Sequence, residues 1–193
     1  MLHAQSAPLP DAPSSTRPMV NGWPYSRPTR GQDFKAYQHE VLGPRAFIGA
    51  GFRSGIEQAR PAPIGWGQDF PGYAQRYGSA YAEIAIDSSV RFGLAAALHE
   101  DTRYLICHDC SLGAKFKNAV LAEVTNRRGR AGHRVFSAVP IVASFSGPLV
   151  AYSAWYPPGY GVEDAAKHSA LGLFVRVGGH ILRETLFDSD DKD

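Results

Sequence analysis

An all-α fold, about five helices in an irregular bundle packed through small-residue faces, is what this 193-residue sequence predicts. Three observations carry the expectation. Long stretches repeat at the i+3 and i+4 spacing of a helix, the clearest over residues 72–98. Proline and glycine punctuate them at Gly43-Pro44 and Pro61-Ala62-Pro63. The 20 glycines fall inside these stretches as well as between them, which suits helices that approach closely.

Residues 1–32 are rich in Pro, Ser and Thr and lack an apolar period, so they read as a flexible leader. A single helical domain is expected over 33–187, followed by an acidic tail at 188–193. The first helix is expected over 34–42 with Asp33 as N-cap. Pro44 suits the first turn of a second helix reaching Ala59. Gly49, Gly51, Ser54 and Gly55 lie inside it. Glycine costs about 1 kcal/mol per interior position relative to Ala, a cost that close packing would offset.

The third helix, over 72–98, carries two stripes. Tyr73, Tyr77, Tyr81, Ile84 and Ser88 form an expected core face. Arg76, Glu83, Asp87 and Arg91 form an expected wet face, with Asp87 and Arg91 at favourable i,i+4 spacing. A connector over 99–111, a fourth helix over 114–126, a basic turn over 126–134 and a last helix over 162–187 complete the reading.

Residues 135–162 contain no Asp, Glu, Lys or Arg. That exceeds the ~20 residues a membrane span needs. Pro140 and Pro148 interrupt the stretch, so short buried helices, peripheral association and a true span are all open. Trp155 and Tyr156 stand where an interfacial belt would place them.

Composition narrows function more than it assigns it. A net charge of +2 lacks the dense basic face of a nucleic-acid binder, so no nucleic acid is expected as partner. The seven histidines form no H-E-x-x-H, and neither G-x-S-x-G nor a P-loop occurs. No catalytic residue is assigned and no cofactor is predicted. A hydrolase site assembled from distant residues stays open.

The one compact reactive cluster is Cys107-His108-Asp109-Cys110. Its readings are an incidental or structural pair, plain disulfide included, a dithiol redox site, or a metal site with Cys107, Cys110, His108 and His99 as candidate ligands. In the basic turn, Arg127, Arg128, Arg130 and Arg134 are candidates for contact with phosphates of lipid or lipopolysaccharide, and Trp155 and Tyr156 for membrane or partner contact.

Several short motifs act together. Trp66-Gly67-Gln68 precedes Gly72-Tyr73 and Arg76-Tyr77. Glu100-Asp101 precedes Arg103-Tyr104, Thr125-Asn126-Arg127 precedes Gly132, and Trp155-Tyr156-Pro157 follows. This set resembles a family of uncharacterised exported proteins of soil bacteria. Residues 2–7 look like the end of a secretory signal, and residues 9–13 are similar to sequences just after a cleavage site. The resemblance implies export to the periplasm or outer membrane of a Gram-negative bacterium. The favoured expectation is a non-enzymatic cell-envelope component that meets membrane lipid, another envelope protein or a second copy of itself. The alternative is a redox or metal protein using Cys107 and Cys110.

Overall fold

The protein is represented by a computed structural model that describes residues 17–108 and 110–186. Expectations for residues 1–16 and for the acidic tail lie outside the described residues. Among the described residues six helices dominate: α1 (Arg30–Leu42), α2 (Pro44–Ala59), α3 (Phe70–Leu98), α4 (Leu112–Ala122), α5 (Val139–Ala154) and α6 (Val162–Leu186). Five strands accompany them: β1 (Met19–Val20), β2 (Trp23–Pro24), β3 (Glu100–Asp101), β4 (Thr125–Arg128) and β5 (His133–Phe136). The mainly helical expectation holds, and the strands are the addition.

Helix α3 runs through the middle, packing on α1, α2 and α5; α5 then packs on α6, and α6 on α4. The centre is made of small residues, with Ala50, Ala80, Ala119, Ala143, Ala151 and Ala165 fully buried. Such side chains let backbones approach but remove little apolar surface from water. Polar groups occupy the rest of the interior. The largest fully buried side chains include Arg76, Glu83 and Glu184. The expected wet face of α3 is therefore its most buried one, and Tyr73, Tyr77 and Tyr81 are only half-buried. Arg76, Glu83 and Glu184 all find partners inside the bundle, which makes the inversion tolerable.

The glycines of α2 do not mediate close approach. Gly49 and Gly55 face open space, and Gly51 meets Tyr73 and Tyr77 only at ordinary contact distance. Ala46, Ala50 and Ser54 form the buried face instead. The close approach is between α3 and α5, where a Cβ on Gly147 would lie 2.6 Å from the Glu83 carbonyl oxygen.

Two boundaries are corrected. Residues 17–32 belong to the fold rather than to a flexible leader: Asn21-Gly22 turns the β1–β2 hairpin with φ of 53° and 87°, the geometry this dipeptide favours. Tyr25 is buried and donates to the Asp101 carboxylate. Helix α1 starts at Arg30 because Thr29 and Gln32 form a capping box, displacing Asp33 as N-cap. The basic turn is a hairpin rather than the end of a helix: β3, β4 and β5 form an antiparallel sheet in that order. The uncharged stretch divides into β5 and the 16-residue α5, with Pro140 in the first turn and Pro148 inside. Among the described residues, no helix is long and apolar enough to cross a membrane.

Candidate functional site: an arginine-lined cavity

The β4–β5 register sets Arg127 directly opposite Arg134, so both side chains share one face of the hairpin. That face borders a partly open cavity of about 510 Å³, lined also by α1, α3, α4, α6 and the segment after β3. Arg91 enters from α3, Arg103 from the loop, and Arg176 with His180 from α6. Arg45 and Arg183, both exposed, complete the lining set of seven arginines. The lining carboxylates are Glu40, Asp101 and Glu123, which leaves a formal excess of four positive charges.

Only part of this charge is paired. Arg103 binds the Asp101 carboxylate at 2.8 Å, and Arg176 binds Glu123 at 3.1 Å. Glu123 also lies 3.5 Å from His180 and is held below the ordinary carboxylate range: burial pushes it up, but His180 and Arg176 together outweigh that. Arg127 is buried and donates to the Gly132 carbonyl, while Arg134 donates to Asn118 and Thr125. Among the described residues neither has an ion-pair partner. Burial lowers both guanidinium pKa values, and for Arg127 the nearness of Arg134 lowers it further. The buried Nε of Arg91 has no hydrogen-bond partner among the described residues.

One wall is aromatic. Tyr104 stacks on His180 with centroids 3.8 Å apart. The Tyr104 hydroxyl donates to Glu184 at 2.6 Å, and burial and that carboxylate push the phenol well above its usual pKa. Glu184 also accepts from Asn118 and from the backbone N–H of Cys107. This ties α6 to the loop that carries the cysteines.

A second polar cluster lies between α2, α3, α5 and α6. Glu83 meets Arg53 at 2.7 Å and also accepts from Ser79. His168 lies 3.8 Å from the same carboxylate. Burial, reinforced by Arg53, holds His168 down at about 4. Burial likewise raises the phenols of Tyr152, to about 12, and Tyr156, which stack at 3.9 Å. Arg76 closes the cluster by donating to the carbonyls of Ala62, Trp66 and Gly67 and to Gln58. The carboxylate, imidazole and phenols are engaged with one another.

The sequence candidates separate on this frame. Arg127 and Arg134 belong to the cavity, while Arg128 is exposed and paired with Glu100, and Arg130 is exposed. Trp155 donates to Ser79, and Tyr156 packs among Tyr152, Tyr160 and Trp66, so both belong to the second cluster. Cys107 and Cys110 are joined in a disulfide. His108 packs on Trp23, and His99 occupies the left-handed C-cap of α3. Among the described residues no three His, Cys, Asp or Glu side chains gather as a metal cradle. Sequence reasoning missed Arg91, Arg103, Arg176 and the Tyr104–His180 stack, because their convergence is tertiary. The hairpin signal was available in Gly129 and Gly132, both of positive φ. No family model matches the chain, no curated protein matches its sequence and no solved structure matches its fold.

Proposed function

We propose that the protein is a non-enzymatic component of a bacterial cell envelope that rests on membrane lipid through the outer faces of its helices. One observation carries this reading: polarity is inverted. Charged side chains fill the interior, whereas Ile48, Phe52 and Ile56 on α2 form an exposed stripe at i+4 spacing. Leu112, Phe116 and Val120 repeat it on α4, and Leu171, Phe174, Val175 and Leu182 on α6. Phe52 and Phe174 are 73% and 76% exposed, far beyond scattered surface apolar residues. Small-residue helix contacts with polar groups between them, and apolar groups outside, suit a lipid surround. With no helix among the described residues long and apolar enough to cross, the stripes would lie in the interfacial plane. The disulfide is compatible with an oxidising compartment, and the resemblance to exported proteins points the same way.

Fractionation of native cells with an alkaline carbonate wash tests the location. Recovery in the membrane fraction, released by carbonate, is the expected result. Protein found only in the soluble fraction would overturn the reading. Phe52→Asp with Phe174→Asp should abolish flotation of purified protein with phosphatidylcholine vesicles. If the pair instead converts a dimer to a monomer, the stripes serve a second copy of the chain.

A further inference from the structure

We infer that the arginine-lined cavity is a binding site for a phosphate-bearing ligand. The argument starts from cost. Two like charges placed directly opposite on a hairpin repel, and buried charge without a partner is expensive. Arg127, buried, and Arg134, half-buried, face each other with only neutral hydrogen-bond partners, and Arg91 adds a buried Nε–H with no acceptor among the described residues. The three lining carboxylates offset only part of this, because Asp101 is engaged by Arg103 and Tyr25, Glu123 by Arg176 and His180, and Glu40 alone is left against the remaining arginines. A polyanion would supply the missing acceptors.

Its chemistry follows from geometry. The unpaired arginines come from two adjacent strands and a separate helix, so they line the cavity from different sides. A tetrahedral phosphate offers acceptors in all directions, whereas a carboxylate offers them in its plane. Arginine's fork suits phosphate oxygens two at a time. The four-charge excess favours more than one ionised oxygen. A volume of 510 Å³ is far larger than one phosphate needs and falls in the range of about 300–1,000 Å³ typical of small-molecule sites. The ligand therefore carries an organic part or a second phosphate, with the Tyr104–His180 stack as a flat wall beside it. Two sources share this chemistry: a lipid headgroup and a soluble phosphate compound. The site stands whether or not the outer stripes meet lipid.

Titration calorimetry of the full chain decides it, with pyrophosphate and with short-chain monomeric phosphatidic acid as probes. Monomeric lipid keeps adsorption on the apolar stripes from being read as occupancy of the cavity. Saturable binding at one site per chain is expected for at least one probe. Arg91→Gln and Arg134→Gln should each weaken it on the order of tenfold or more, the scale of a lost charge-assisted hydrogen bond. Arg130→Gln, on the exposed turn, should leave it unchanged. Tighter binding of phosphatidic acid assigns a lipid headgroup, and tighter binding of pyrophosphate a soluble compound. Arg91→Gln breaks no hydrogen bond or ion pair seen among the described residues, so its melting temperature should fall by no more than a few degrees. It decides the matter even if Arg134→Gln perturbs the hairpin. Absence of saturable binding by both probes, or equal weakening by Arg130→Gln, overturns the site.

Discussion

The backbone N–H of Gly147 donates to the Asp87 carboxylate at 2.8 Å, joining α5 to α3. Two further features of α5 lie beside this contact. The Ser146 hydroxyl takes the Ala143 carbonyl at 2.7 Å, and Pro148 disturbs the helical ladder at the next position. Asp87 is thus withdrawn from the i,i+4 pair with Arg91 that its spacing suggested, and Arg91 is left facing the cavity. A Cβ at Gly147 would meet Asp87 at 2.7 Å and the Glu83 carbonyl oxygen, a backbone atom that cannot turn aside. Gly147→Ala should cost about 1–3 kcal/mol by overpacking. Gly49→Ala and Gly55→Ala, on open helical faces, should each stabilise by up to about 1 kcal/mol. Denaturant melts of the three variants check the contrast.

Arg53 bridges Glu83 and Glu57 inside the bundle. Neutralising one member of a buried pair leaves the other uncompensated, at a cost of about 3–5 kcal/mol. Glu83→Gln should approach that range, moderated by the remaining Glu57. Glu163→Gln, which breaks the exposed pair with Lys167 at 2.7 Å, should leave stability essentially unchanged, because solvent screens that pair. Chemical denaturation of both variants gives the comparison.

His168 makes stability depend on pH with a definite sign. Burial, then Arg53, hold its folded pKa at about 4, against an ordinary value near 6.5. Between these values the unfolded chain binds a proton that the folded chain does not. Stability from this group is therefore complete above about pH 6.5 and declines toward pH 4, by up to about 3 kcal/mol. Glu57 and Asp87, raised by burial, act in the opposite direction. The difference between wild type and His168→Leu isolates the histidine: the variant should lose this part of the slope. Identical slopes would show that His168 does not titrate as its burial requires.

The Cys107–Cys110 disulfide closes a very short loop. Loop-closure entropy for so few residues is worth about 2 kcal/mol, or roughly 4–8 °C in melting temperature. Cys110→Ser should lower the melting temperature by that amount and leave vesicle flotation unchanged. Loss of flotation at full stability would instead give the cysteines a direct part in membrane contact.

What the sequence determined by itself was the helical framework. Gly43-Pro44 and Pro61 place the ends of α2 near their observed positions, because proline acts on the backbone whatever surrounds it. The long 3.6-residue period fixed α3 and α6 in the same local way. Arg127 and Arg134 were marked as basic residues of one turn, but their cross-strand register was not. Asn21-Gly22 was a legible hairpin signal inside a stretch whose proline content masked it. Tertiary structure alone decided which side of α3 is inside. Periodicity ranks Tyr73, Tyr77 and Tyr81 as core and Arg76 and Glu83 as surface, because it assumes that burial selects apolar groups. Here alanine and serine faces bring helices close together, so the interior accepts charges whose partners come from other elements: Arg53 for Glu83, Asn118 and Tyr104 for Glu184. Those partnerships join residues 30 to 80 positions apart, beyond the reach of any local pattern. The same convergence gathers arginines from α3, β4, β5 and α6 around one cavity.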